Sequence, residues 1–486
     1  MSFGIIEKFL VSGLALILAY LTWVWGGLRL AWLPPSVWAS GILLIIVLAS
    51  SLVPLRVTVA RSRFWWRDPF FYFGLLFLGY LVIQWWNAGR VLYFDVGFME
   101  WRYSPPLHPA WPSAFSRPEA AQMLYWFFPA WVLGLTVRSS AIRGRALIGL
   151  LQGLVYSAGL LALFGVIQFL TRTKYQYWVA PSGEGFFASF GYTNHAAAFF
   201  VLMGALAAGL LFREIFNREG KHPFRTTALA ASLLLCLVGA NFSLSRAGVI
   251  LAWALAGFVA LYGLYRGWRK LHGAGRINLA AATVAVFCIF YFAVAGFGSK
   301  DITREFTARK PSHHLLFPVL DNLDLSFGGR AKLDQIAWQM WQDHKLLGVG
   351  GWGYRYLLFF YLPHEEWKEY VQSPGKANVH CDSLQFLAEF GIVGFGLMLA
   401  MFVTLITSLF RRRFTEPKHA QGARVRGHAN RRDPLWILGI IGLLLVVIFS
   451  LIDLPFRCPA ILCTWVVILA ALPNVTEARF STNKNK

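Results

Sequence analysis

The stretch from Ala377 to Gly396 reads ANVHCDSLQFLAEFGIVGFG and places His380, Asp382 and Glu389 where a polar loop turns into an apolar run. An imidazole exchanges protons near neutral pH and suits general-base work on a hydroxyl. Asp382 has two readings: a carboxylate that orients the ring, or the cap and first-turn residue of the following helix. Glu389 falls on the same helical face as Asp382, far enough into the apolar run that an ionised group there needs a partner or a function.

Two arginines form a second set. Ser243–Arg246 (SLSR) is a turn with hardly any loop between two apolar runs, so Arg246 either snorkels to headgroups or pairs with an anion. Arg330 closes the stretch SFGGR and is expected to start an amphipathic helix over 331–344. On that helix Leu333, Ile336, Ala337, Met340 and Trp341 share one face, and Asp334, Gln335, Gln339 and Gln342 point away. A cation at a helix start opposes the helix dipole, which points to a bound anion at that place. Guanidinium groups offer planar, bidentate donors suited to phosphate. Asn194 and His195, at the head of another apolar run, either line the same cavity or serve as a cap and a headgroup contact.

Neither a nucleotide nor a metal is called for by these motifs. The run GVGGWG (348–353) lacks the Gly-Lys-Ser/Thr of a phosphate loop and reads as a tight, flexible turn. His380 and Cys381 with His313 and His314 match no zinc-ligand spacing. No Asp-x-Asp is present, and the loop from Gly27 to Pro35 has no carboxylate. No cofactor and no metal are therefore expected. Were a metal required, Asp95, Glu100, Asp321 and Asp324 would be the carboxylates to examine.

The elements that must position these residues are membrane helices. The 486 residues are 57% hydrophobic and 14% charged, against about 25% charged in soluble domains. Twelve apolar stretches of spanning length stand near 9–27, 36–55, 69–87, 121–137, 146–170, 194–212, 227–243, 246–265, 277–296, 387–410, 435–453 and 456–472. The fold class is accordingly an all-α polytopic membrane protein of about twelve helices, with one large extracytoplasmic loop containing amphipathic helices. The division is 1–296 for spans one to nine, 297–386 for that loop with its catalytic motifs, and 387–486 for spans ten to twelve and a cytoplasmic tail. Lys and Arg crowd alternate connections (Arg56 to Arg67, Arg138 to Arg145, Arg213 to Arg225, Arg266 to Arg276, Arg411 to Arg432), which puts those segments and both termini in the cytoplasm. That placement accounts for the net charge of +22 without nucleic acid. The first apolar run lacks a small-residue cleavage site and reads as a retained helix. The Pro- and aromatic-rich segment 88–120 suits an irregular loop at headgroup level. Four cysteines lie in or beside spans, and a Cys381–Cys458 disulfide is conceivable only.

In order along the chain, FGYTNHAAAFF (190–200), SLSRAGVILAW (243–253), GGRAKLDQIAWQMWQDHKLLGVGGWGY (328–354) and HCDSLQFLAEFGIVG (380–394) resemble the O-antigen ligase and O-antigen polymerase family of bacterial envelope enzymes. The resemblance covers most of residues 190–410. Cys381 departs from it, because the family usually has Asn after the motif His. What the resemblance implies is an inner-membrane glycosyltransferase with its site on the periplasmic face, moving a glycan from undecaprenyl diphosphate to a glycolipid, glycan or protein acceptor. It implies metal-independent, inverting transfer with His380, Arg246 and Arg330 as catalytic residues. The two arginines would hold the donor diphosphate, and Asp382, Glu389, Asn194 and His195 would support. A polymerase or a protein O-oligosaccharyltransferase is the alternative within the family. A solute or lipid-glycan transporter is the alternative outside it, disfavoured because the polar residues gather at span ends and not at mid-span.

Overall fold

A computed structural model describes residues 3–52, 67–139, 142–181, 185–216, 222–270, 318–367, 377–411 and 433–475, with isolated positions between 273 and 292. The expected span near 277–296, the His313-His314 pair, Arg56 to Arg63 and the basic segment 412–432 lie outside the described residues or nearly so. The described chain is a bundle of apolar helices, as its composition requires. Among the described residues nine helices are long and apolar enough to cross a membrane, and two apolar helices of 17 residues, Pro434–Ser450 and Pro459–Val475, are shorter.

In chain order the helices are α1 (Phe3–Trp23), α2 (Pro34–Leu52), α3 (Pro69–Trp86), α4 (Arg117–Arg138), α5 (Gly144–Leu170), α6 (Thr193–Ile215), α7 (Pro223–Phe242) and α8 (Arg246–Lys270). They continue with α9 (Pro318–Asp343), α10 (Gly353–Tyr361), α11 (Asp382–Arg411), α12 (Pro434–Ser450) and α13 (Pro459–Val475). A hairpin of β1 (Leu92–Asp95) and β2 (Glu100–Tyr103) stands in segment 88–120, so that loop is less irregular than its prolines suggest.

Helix α6 is the axis of the bundle. Every residue from His195 to Phe212 is buried, against α7 and α12 chiefly. Its small side chains explain this, since bilayer helices associate by close van der Waals approach. Gly442 of α12 meets Ala205, and a Cβ on Gly209 would stand 2.9 Å from the Leu435 backbone.

At the end of the bundle away from His380, acidic caps double as counter-ions. Asp68 accepts from Phe70 N at 3.1 Å to start α3 and takes both Arg138 Nε and Nη2, at 2.6 and 2.7 Å. Asp433 caps α12 through Leu435 N at 3.0 Å and faces Arg213 at 3.3 Å. Each carboxylate thereby satisfies one orphan helix N–H and a largely buried cation.

At the His380 end the sequence reading needs two corrections. First, α9 begins at Pro318, so Arg330 lies within the helix and not at its start. The dipole argument for an anion at Arg330 therefore falls. The helix runs through SFGGR, a stretch expected to lie at the end of a loop. The expected apolar face does hold: Leu333, Ile336, Ala337 and Met340 are buried with Phe115, Val349, Tyr354, Leu358 and Val379 in a cluster separate from the main core. Second, GVGGWG is no free turn. Helix α11 breaks at Gly391 (φ 62°), and the glycine run docks onto the break. Val349 N and Gly350 N donate to Ala388 O (3.1 Å) and Glu389 O (2.7 Å), while Ile392 N and Val393 N reach Lys345 O (2.8 Å) and Leu346 O (3.1 Å). The Tyr80 hydroxyl donates to the carbonyls of Leu347 (2.6 Å) and Phe390 (2.8 Å). Gly348 and Gly391 meet backbone to backbone, so a Cβ at either would collide with the other strand. The polar groups freed by the break are thus satisfied from within, as low-dielectric surroundings demand.

Candidate active site

His380 stands just before α11 with its backbone in the left-handed region, φ 60°, which costs a non-glycine residue energy and persists only when neighbours hold it. A relay of side chains does so. Gln385 Oε1 accepts from Val379 N at 3.0 Å, and its amide nitrogen donates to Glu389 Oε1 at 3.0 Å. Glu389 Oε2 takes Arg457 Nη2 at 2.6 Å. Glu389 and Arg457 are both fully buried, 0% and 2% exposed, so neither can be left alone. Arg457 is also packed against Trp352 and Phe386, its guanidinium carbon 4.5 and 4.8 Å from the ring centres.

Arg457 belongs to the connection Ile452–Arg457 between α12 and α13, and that short segment gathers the rest of the site. Asp453 Oδ2 lies 3.9 Å from His380 Nδ1 and 3.9 Å from Arg330 Nη2. The same oxygen accepts from the Tyr192 hydroxyl at 3.0 Å and from Asn194 Nδ2. Arg330 Nη1 donates to Ile452 O at 2.5 Å. His195 Nε2 pairs with Leu454 O at 3.0 Å. Asp382 Oδ2 accepts from Phe456 N at 2.8 Å.

Six of the seven residues singled out from sequence therefore touch or face one six-residue connection: His380, Arg330 and Asn194 at Asp453, His195 at Leu454, Asp382 at Phe456, and Glu389 at Arg457. Arg246 reaches the same end of the bundle on α8, which packs on α6; a Cβ at Gly248 would collide with Ala197, one turn from Asn194. Asp382 is the first residue of α11 and holds the connection's backbone, so of its two readings the structure favours the helix-end one. The carboxylate that faces His380 is Asp453.

Sequence reasoning missed Asp453, Arg457 and Tyr192. The available signal was the lone Asp and lone Arg in IDLPFR, two ionisable groups between consecutive apolar runs. Burial alone would lift the Asp453 carboxyl, but His380, Arg330 and the backbone N–H of Leu454 hold it below its usual range, so it is an anion at neutral pH. Burial and the Asp453 charge push the Tyr192 phenol well above its usual range, which keeps it a donor. One turn after Arg330, burial raises the Asp334 carboxyl, partly offset by Arg330 and His380. Asp334 is half-buried, so the assignment of that residue to the outward face of α9 is only partly right.

Asp453 acts on the His380 ring by charge across 3.9 Å, a separation longer than a hydrogen bond, and Nε2 is left to take a proton. Cations at the same place can meet developing negative charge on a leaving group. Among the described residues no three His, Cys, Asp or Glu side chains form a group that could hold a metal ion. All five cysteines are free; the Cys458 thiol donates to Gly26 O at 3.2 Å, so no Cys381–Cys458 bridge forms.

Residues 231–399 match the family model described as O-antigen ligase. The matched stretch contains Arg246, Arg330, His380, Asp382 and Glu389. No curated protein matches it.

Proposed function

We propose that this chain is a multi-pass membrane enzyme of the O-antigen ligase/polymerase family, which moves a glycan from undecaprenyl diphosphate to an acceptor hydroxyl, with a glycolipid core as the acceptor. The match over residues 231–399 supports the family. The observation that carries this reading is the convergence of His380 and Arg330, from distant parts of the sequence, on the Asp453 carboxylate. The site lies on the periplasmic face of a bacterial inner membrane, with both termini in the cytoplasm.

The acceptor oxygen attacks the anomeric carbon as its proton passes to His380 Nε2. The new C–O bond forms on the face opposite the diphosphate, giving inversion. The bond from that carbon to the diphosphate oxygen breaks and its electron pair stays on the diphosphate. Arg330 and Arg246 bind that product as it gains charge, a role worth a few kcal/mol per well-placed group. Asp453 stabilises the imidazolium, and general-base help of this kind is worth about 10²–10⁴-fold. The proton then leaves His380 to solvent.

Mass spectrometry of glycoconjugates from cells with and without the protein tests the acceptor. Loss of the glycan from lipopolysaccharide is expected, with lipid-linked donor accumulating. A shortened polymer or a bare protein would assign the polymerase or protein-transferase reading instead, and lost solute uptake with intact glycans would assign a transporter. Transfer by the purified chain is expected to persist in EDTA; metal dependence would move attention to Asp95, Glu100, Asp321 or Asp324.

A further inference from the structure

The β1–β2 hairpin is apolar on one face and at its tip: the cross-strand pairs Leu92–Tyr103 and Phe94–Trp101 share one side, and Tyr93, Asp95, Glu100 and Arg102 share the other. Leu92, Phe94 and Trp101 on the strands and Val96, Phe98 and Met99 at the turn are all exposed, the last three by 67–75%. Scattered exposed apolar side chains are ordinary, but a contiguous patch of this kind marks a binding surface. A lone two-stranded hairpin is also marginal in water. Its charged groups are partnered within the hairpin: Arg102 binds Glu100 and faces Asp95 at 3.9 Å, its guanidinium lies 3.9 Å over the Phe98 ring, and Asp95 also accepts from Gly97 N at 3.0 Å.

We infer that this hairpin is immersed in the membrane leaflet on the His380 side, with Val96, Phe98 and Met99 among the lipid chains and Arg102 at headgroup level. Continuity with the lipid-facing surface decides for lipid over a protein partner. The hairpin follows soon after α3, a span whose side chains Tyr72, Leu76, Val82 and Trp86 are exposed, and its own exposed apolar residues begin at Val91 and Leu92, close in sequence to Trp86 at the end of that helix. Indole and phenol rings at such a boundary suit the bilayer interface.

Immersion has a structural effect on the site. Tyr103, the last residue of β2, packs edge-on against Phe115 (ring centres 4.7 Å apart) and near Tyr356 of α10 (6.2 Å). Gly350 lies against the Ser113–Ala114 backbone beside Phe115. The hairpin thereby ties the α9–α10 layer, and the break in α11 docked on it, to a fixed height over the lipid. This inference does not depend on the transfer reaction.

The test places nitroxide labels at Val96→Cys, Phe98→Cys and Met99→Cys, one at a time, in the full chain. Cys288 and Cys381, the two cysteines not buried, are first changed to Ser. The host is a nanodisc of phosphatidylethanolamine and phosphatidylglycerol, and Gln339→Cys on the exposed face of α9 is the aqueous control. Labels at 96, 98 and 99 are expected to collide with oxygen more than with a nickel chelate, and the control to do the reverse. Chelate access at the three sites equal to the control overturns the inference in favour of a hairpin in water. Shielding from both reagents overturns it in favour of a protein cover, such as a second copy.

Discussion

Asp453→Asn removes one charge and little volume, leaving an amide oxygen to accept from Tyr192 and Asn194. What is lost is the attraction between the carboxylate and the imidazolium formed during proton transfer. Unit charges 3.9 Å apart interact by about 4 kcal/mol at an effective dielectric of 20. His380 is 18% exposed and Arg330 29%, so solvent reduces that to roughly 2–3 kcal/mol. At about 1.4 kcal/mol per decade the expected loss in kcat is about 10²-fold, with the protein still folded in the membrane. The assay is single-turnover transfer from a lipid-linked glycan to a defined acceptor by the purified chain. A double-mutant cycle gives the sharper reading. If Asp453 acts through His380, Asp453→Asn added to His380→Ala costs almost nothing further, whereas His380→Ala alone abolishes most transfer. Multiplied losses in the double variant, or wild-type kcat in Asp453→Asn, would refute the reasoning.

Three further outcomes are expected. Arg330→Lys keeps the charge and loses the planar fork, so kcat/KM for the lipid donor should fall by about 10-fold or more, from charged hydrogen bonds worth about 1.5–3 kcal/mol each; an unchanged value argues against a diphosphate role. Arg457→Met leaves Glu389 buried without its cation and should cost about 3–5 kcal/mol, seen as a lower melting temperature in detergent, while adding Glu389→Gln should restore part of it; equal melting of single variant and wild type would dismiss the pair as a structural element. Gly391→Ala meets both a positive φ and the Leu346 carbonyl, so it should destabilise by more than the ~1 kcal/mol of an ordinary glycine replacement, read as loss of monodisperse protein on gel filtration.

Composition and hydropathy made the class of fold plain, because a membrane imposes length and polarity on every span it accepts. The buried face of α9 was equally readable, since a 3.6-residue period records which side is covered. What stayed hidden was partnership. The pairs Glu389–Arg457, His380–Asp453 and Arg330–Asp453 join residues 68, 73 and 123 positions apart, and nothing local announces them. Of the two readings of Asp382, orienter and helix cap, the first rested on nearness in sequence; in space the anion facing His380 comes from the connection between another pair of helices. GVGGWG was read for backbone freedom, whereas close approach between backbones is what Gly348 and Gly391 provide.

The connection from Ile452 to Arg457 lies beyond residue 399, where the O-antigen ligase match stops, and Tyr192, Asn194 and His195 lie before residue 231, where it starts. A fragment cut to the matched boundaries would therefore strip Arg330 of its anion and Glu389 of its cation, leaving the latter as an orphaned charge in an apolar interior. Such a fragment should fail to fold even though it retains every motif by which the chain is matched.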